Sequence, residues 1–404
     1  MFLIHLLFIS IFVYVIITTL YLVILTVAAY LFRKRRSSST APLRLAVVIP
    51  AHNEALEIQK TLSGVQTSNY AKEDFITVVI ADNCEDETAA LARNAGATVV
   101  ERTDPENRGK GQALDWFFKN HSEIYGSFHG VVILDADTVM HPDFLSETAA
   151  SLSSAGVFVM QGFYGGSNPE DNWRSALVSA ALNVFHHVRP AGRNRIGGTA
   201  GLRGNGMAFR TEILRKYGWP AYSIVEDIEF SMILLQDGIW VHYNPDAMVY
   251  GEMATEKEQA ETQRKRWEGG RFDVFKKYGP PLFRAWLREK QQIAYLDGFM
   301  ELFTPPLSLV VMGQLLFFFM SLLMYHGWVS LSVCCLLGTV FYVFSGQILR
   351  HASSYVWKCL FKAPFFILWK IPIYLKIVKK KEQNTWERTQ RKSELEQKNG
   401  QDPH

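Results

Sequence analysis

No charged residue stands between Phe2 and Phe32, and four basic residues follow at once, Arg33-Lys34-Arg35-Arg36. At about 1.5 Å of rise per helical residue, two-thirds of that run crosses a hydrocarbon core of roughly 30 Å. The run therefore reads as one transmembrane helix. A cleavable signal peptide would start with positive charge and have a shorter apolar stretch, so an uncleaved anchor fits better. By the positive-inside rule the basic cluster is cytoplasmic, which places the N-terminus outside and the chain after Arg36 inside. Ser37-Ser38-Ser39-Thr40 reads as a short polar linker.

The rest divides by hydropathy. Residues 43 to about 290 have soluble composition. Two apolar runs follow, Phe303 to Met324 and Trp328 to Leu349, separated by Tyr325-His326-Gly327, and read as a membrane hairpin. From Tyr355 to Val378 the apolar pattern is broken by Lys358, Lys362, Lys370 and Lys376, each costly at the bilayer centre, with Trp357 and Trp369 as interfacial aromatics. That stretch reads as interfacial or re-entrant. Three spans that start outside end inside, where Lys379-Lys380-Lys381 belongs. The expected organisation is an anchor and basic stop (1–36), a soluble domain (43–275), an interfacial connection (276–302), a membrane hairpin (303–349), an interfacial or re-entrant segment (350–381) and a polar tail (382–404).

With 42 basic and 39 acidic residues, the formal charge of +3 carries no nucleic-acid footprint. Cys84, Cys334, Cys335 and Cys359 have no C-x-x-C spacing and indicate neither a zinc site nor a disulfide framework.

Within the soluble part, Leu45 to Pro50, Ile76 to Ala81, Thr98 to Glu101 and Gly130 to Leu134 are β-branched runs bounded by turn residues, as buried strands are. Helical patterns lie between them at Glu54 to Thr67, Asp86 to Ala95 and Gly111 to Phe118. Such alternation predicts an α/β fold with a doubly wound, mostly parallel sheet, in which ligands bind beyond the C-terminal ends of the strands.

The polar residues cluster at those ends. After the first strand stand Pro50, His52 and Glu54, and after the second Asp82-Asn83-Cys84-Glu85-Asp86. Helix capping and ligand binding are both open there; the Asp82 carboxylate suits ribose hydroxyls or a base N–H. Lys110, flanked by Gly109 and Gly111, lacks the glycine spacing and the Ser/Thr of a P-loop, yet offers a cation at a helix start. The strand Gly130 to Leu134 ends in Asp135-Ala136-Asp137, whose alternation points two carboxylates the same way, about 7 Å apart. A bound hard cation, Mg2+ or Mn2+, removes their repulsion and keeps positions for diphosphate oxygens. The glycine-rich Gly197 to Gly206, ending in Gly204-Asn205-Gly206, reads either as a flexible loop or as close-packed backbone beneath an acceptor. Val225-Glu226-Asp227 opens a helical pattern, so its acids are caps or a general base. Gln263, Arg266 and Trp267 are either a solvated face or a diphosphate and sugar contact.

In this order, P-A-H-N-E, A-D-N-C-E-D, the D-x-D of Asp135 and Asp137, the E-D ending in Asp227 and the Q-x-x-R-W of Gln263, Arg266 and Trp267 resemble membrane-bound family 2 glycosyltransferases, which include cellulose, chitin, hyaluronan and poly-N-acetylglucosamine synthases. The resemblance covers about residues 43 to 275. It implies a GT-A fold and inverting transfer from a nucleoside diphosphate sugar, commonly a UDP-sugar, to a glycan or membrane-associated acceptor, with membrane lipids as surroundings. Asp82 would hold the nucleotide, Asp135 and Asp137 the metal, Asp227 would be the base, and Gln263, Arg266 and Trp267 would line the diphosphate and acceptor side. The plasma (inner) membrane is the expected location. The polymer-secreting members build their channel from more than three membrane helices. The layout also resembles ceramide glucosyltransferases, which transfer one sugar to a lipid.

Overall fold

The computed structural model describes residues 2–35, 43–253, 257–288 and 292–379; side chains of residues 257–269 lie outside the description. In chain order the elements are α1 (Phe2–Tyr30), β1 (Leu45–Ala51), α2 (Ile58–Gln66), β2 (Phe75–Asp82), α3 (Thr88–Asn94), β3 (Thr98–Arg102), α4 (Lys110–Asn120), α5 (Ser122–Tyr125), β4 (Gly130–Ile133), β5 (Val139–Met140), α6 (Phe144–Ser153), β6 (Val159–Gly166), α7 (Trp173–Asn183), α8 (Arg189–Arg195), β7 (Met207–Arg210), α9 (Thr211–Tyr217), α10 (Glu226–Gln236), β8 (Val241–Gly251), α11 (Lys257–Arg288), α12 (Gln292–Phe303), α13 (Leu307–Met324), α14 (Val329–Leu349), α15 (Ser354–Cys359) and α16 (Ala363–Lys379). The chain forms two units. The first comprises Met1–Phe32, Pro169–Gly198 and Arg271–Lys381; the second comprises Arg33–Asn168 and Thr199–Gly270.

The second unit is built on an eight-stranded sheet in the order β3-β2-β1-β4-β7-β6-β8-β5. All four strands read from the sequence are present, and β3, β2, β1 and β4 pair in parallel. The β6–β8 pair is also parallel, whereas β4–β7, β6–β7 and β5–β8 are antiparallel. The apolar runs explain the parallel half. Leu45, Val47 and Ile49 of β1, Val79 of β2 and Val132 of β4 are fully buried, each contributing roughly 1.5–3 kcal/mol relative to exposure. The helix expected from Glu54 starts at Ile58, because the Glu57 and Ile58 amides donate to the Glu54 carbonyl in a preceding turn.

Lys34 of the basic cluster is tied into this unit. Its amine pairs with Glu147 on α6 at 2.7 Å and with Asp246 at 2.6 Å, so one cation of the stop signal also holds protein carboxylates.

Among the described residues three helices are long and apolar enough to cross a membrane, Phe8–Tyr30, Leu307–Met324 and His326–Leu349, all in the first unit. The second apolar run starts at Leu307 rather than Phe303. Pro305 and Pro306 lack amide donors, so α12 ends at Phe303 and α13 begins after Pro306. Gln314 on α13 donates to the Thr19 hydroxyl of α1 at 2.8 Å and to the Thr339 hydroxyl of α14 at 2.7 Å, so its side-chain nitrogen is satisfied among apolar helices. Lys370 of α16 is buried and donates to the Ser308 hydroxyl.

Pro169–Gly198 falls inside the 43–275 span read as one domain, yet it packs in the first unit. It contributes α7, a π-helical turn at Val184–Val188 and α8. Arg193 of α8 donates to Asp297 of α12 at 2.9 Å, and Tyr21 of α1 donates to the same carboxylate at 2.9 Å. Arg189 donates to the Tyr342 hydroxyl of α14 at 2.9 Å and lies 3.6 Å from Glu301. Gly192 faces Leu25 so closely that an added Cβ would meet the Leu25 backbone carbonyl. Gly192→Ala is therefore expected to destabilise the unit by about 1–3 kcal/mol. An unchanged thermal midpoint in detergent would contradict this close helix contact.

Candidate active site

The site lies in the second unit, at the C-terminal ends of the parallel strands. One cluster joins the ends of β1, β2 and β3. Asp82 is buried and accepts from Arg102 at 2.6 Å; the two residues stand opposite one another in the parallel register. A second Arg102 nitrogen donates to Asp104 at 2.8 Å and to the Asn107 carbonyl at 2.9 Å. Asn83, with a left-handed φ of 50°, accepts from the Asp104 amide, so the two strand-end loops are laced together. The His52 Nδ1 lies 2.7 Å from the Asp82 carbonyl oxygen. The Glu54 amide donates to Thr88, and its side chain is buried. Pro50 remains inside β1, opposite Ile80.

A second cluster is centred on Lys110, the first residue of α4. Its ammonium donates to Asp135 at 2.5 Å and to the Gly204 carbonyl. Burial disfavours the ammonium, but Asp135, Glu226 and Asp227 outweigh that and raise its pKa. Gly111 lets the segment before α10 pack against the start of α4: a Cβ there would lie 2.6 Å from the Ala221 carbonyl and 3.5 Å from the Glu226 Cβ.

The glycine-rich loop is ordered by buried polar contacts. Asn205 is fully buried; its side-chain oxygen accepts from the Asp135 amide at 3.2 Å and its amide donates to Thr138 at 2.9 Å. Gln161 of β6 donates to the Asn205 carbonyl and accepts from the Arg203 amide, both at 2.8 Å. Gly204, at φ 81°, lies beside Asp227: an added Cβ would be 3.5 Å from its Oδ2. Gly206, at φ 67°, has Val249 where a Cβ would point, at 2.7 Å.

Glu226 and Asp227 open α10. Burial, then the neighbouring Asp227 charge, pushes the Glu226 carboxyl up to about 7. Burial likewise raises Asp227, against the Ile228 amide and the charges of Lys110 and Arg203. Both carboxyls thus hold protons more tightly than ordinary acids.

Among the described residues no group of three or more His, Cys, Asp or Glu side chains is arranged around a metal position. Asp135 and Asp137 still fit a hard divalent cation. They are oxygen donors, both partly exposed at the end of β4, and Asp135 already holds a cation in Lys110. Two protein ligands leave coordination positions for phosphate oxygens, as Mg2+ sites do. Lys110, Asp135, Gly204, Asn205 and Asp227 therefore meet, and His52, Glu54 and Asp82 form the neighbouring strand-end cluster. Gln263, Arg266 and Trp267 fall on α11, where side chains lie outside the description.

Arg102, Thr138 and Gln161 were not found from the sequence. Arg102 had a signal: a basic residue ending the strand next to the one that ends in Asp82. Gln161 carried only its polarity within an otherwise apolar strand.

The family model described as Glycosyltransferase like family 2 matches residues 42–270, more than half of the chain. A probable glycosyltransferase of Bacillus subtilis is 25% identical over 276 residues, 65% of this chain and 62% of that protein. A poly-beta-1,6-N-acetyl-D-glucosamine synthase of Staphylococcus aureus is 26% identical over 244 residues, 57% of this chain and 55% of that one. A probable glucomannan 4-beta-mannosyltransferase of Arabidopsis thaliana is 26% identical over 251 residues, 59% and 47% of the two chains. This chain thus spans about half to three-fifths of the length of these curated relatives. With its strand-end carboxylates carried on a GT-A sheet, the chain belongs to glycosyltransferase family 2.

Proposed function

We propose that this enzyme transfers a sugar from a nucleoside diphosphate sugar, a UDP-sugar in particular, to a glycan or membrane-associated acceptor hydroxyl with inversion at the anomeric carbon. The observation that carries the reading is the meeting of Lys110, Asp135 and Asp227 beside the Gly204 backbone. Asp227 is the base: its raised proton affinity suits it to take the proton of the acceptor hydroxyl as that oxygen attacks the anomeric carbon. The bond to the diphosphate breaks on the opposite face, so a single displacement inverts the centre. Lys110 offers positive charge to the departing diphosphate. A divalent cation, Mg2+ or Mn2+, held by Asp135 and Asp137, would supply further neutralisation of that leaving group. Asp82 and Arg102, with His52 and Glu54 nearby, form the nucleotide side; Gln263, Arg266 and Trp267 serve the diphosphate and acceptor.

The three apolar helices and the basic clusters at both ends support a cytoplasmic catalytic unit, where nucleotide sugars are made, with the N-terminus outside. The polymer-forming activity in the Staphylococcus aureus relative's name supports a polysaccharide product. Membranes containing the protein, incubated with radiolabelled UDP-sugars, should yield labelled polymer. Label that stops after one sugar on an extractable lipid would replace the polymer reading with glycolipid synthesis. No transfer from any nucleotide sugar would overturn both.

A further inference from the structure

We propose that Lys110 is a resident counter-cation of the donor site, holding the Asp135 carboxylate until a nucleoside diphosphate arrives, so that the divalent cation loads together with the nucleotide rather than ahead of it. This rests on the reading of Asp135 and Asp137 as the metal side of a sugar-nucleotide site. The Lys110 ammonium lies 2.5 Å from Asp135 Oδ1, with the two side chains only 19% and 31% exposed. Its other bond is to the Gly204 carbonyl, so it links the metal-side strand end to the loop beside Asp227. A dication approaching Asp135 meets a fixed positive charge at contact distance, in surroundings that screen it less than water does. A bare dication is thereby disfavoured. A diphosphate changes the balance, because its oxygens accept the ammonium and leave Asp135 to the metal. A lysine suits this exchange, being a point charge on a flexible four-carbon stem.

The test is Mn2+ binding to the full-length protein in detergent, followed by the electron paramagnetic resonance signal of free Mn2+, with and without UDP. Without nucleotide, Lys110→Gln should bind Mn2+ about tenfold more tightly than the unsubstituted protein or more, and Lys110→Arg, which keeps the charge, should not. With UDP the advantage of Lys110→Gln should vanish or reverse. If Lys110→Gln binds Mn2+ no more tightly without UDP while the unsubstituted protein still shows UDP-dependent binding, the counter-cation role is wrong and the donor site stands. If the unsubstituted protein binds no Mn2+ even with UDP, the donor-site reading fails and this proposal with it. Should Lys110→Gln fail to fold, the unsubstituted protein answers: saturating Mn2+ alone should raise acetic anhydride labelling of Lys110, read by mass spectrometry, and unchanged labelling would overturn the proposal.

Discussion

Asp227→Asn should lower sugar transfer by about a hundred- to ten-thousand-fold while leaving nucleotide-sugar binding largely intact. Asparagine keeps the shape of the side chain beside Gly204 but takes up no proton. The same position sets the pH profile. A base works only when ionised, and burial raises Asp227 while its neighbour Glu226 is pushed up to about 7. The rate should therefore fall on the acid side at higher pH than an ordinary carboxylate would give, and the limb belongs to the pair rather than to either acid. Near-normal turnover by Asp227→Asn, measured with donor affinity in the same preparation, would remove Asp227 from the base role.

Asp297→Ala should destabilise the first unit by about 3–5 kcal/mol, because it takes from Arg193, in a fully enclosed position, its nearer carboxylate partner and leaves only Glu301 at 3.6 Å. Arg193 and Asp297 are 0% and 1% exposed, so solvent screening does not soften the loss. Tyr21 loses its acceptor in the same change. Replacing both partners with apolar residues, Arg193→Met with Asp297→Leu, should recover much of the stability, since neither leaves a buried charge alone. A single-variant loss below about 1 kcal/mol by thermal unfolding in detergent would mean that water reaches this network.

The strands and the acids at their ends were legible because each is a local signal. A β-branched run followed by polar turn residues marks a buried parallel strand and its ligand-facing loop, as at Val132 and Asp135. The antiparallel half was not legible: Met207–Arg210 is short, and its partners β4 and β6 come far earlier in the chain. The choice between cap and base at Glu226-Asp227 was not legible, because Lys110 and Gly204, which lie beside them in space, are distant in the sequence. The allegiance of Arg189 and Arg193 was hidden for the same reason. No local pattern marks them as buried, and only the distant Asp297 and Glu301 make their burial affordable.

That allegiance bears on how the enzyme can be divided. The chain leaves the catalytic unit after Asn168 and returns at Thr199, having given thirty residues to the other body. No pair of cuts releases a soluble catalytic fragment with its own residues only: residues 43–270 expressed alone would carry Arg189 and Arg193 without Asp297 and Glu301, and α7 and α8 without the helices that cover them. The sheet that carries the candidate site and the body that holds the apolar helices are thus written into one another at the level of connectivity, and a fragment cut to the sheet would inherit a sticky, charged orphan in its middle.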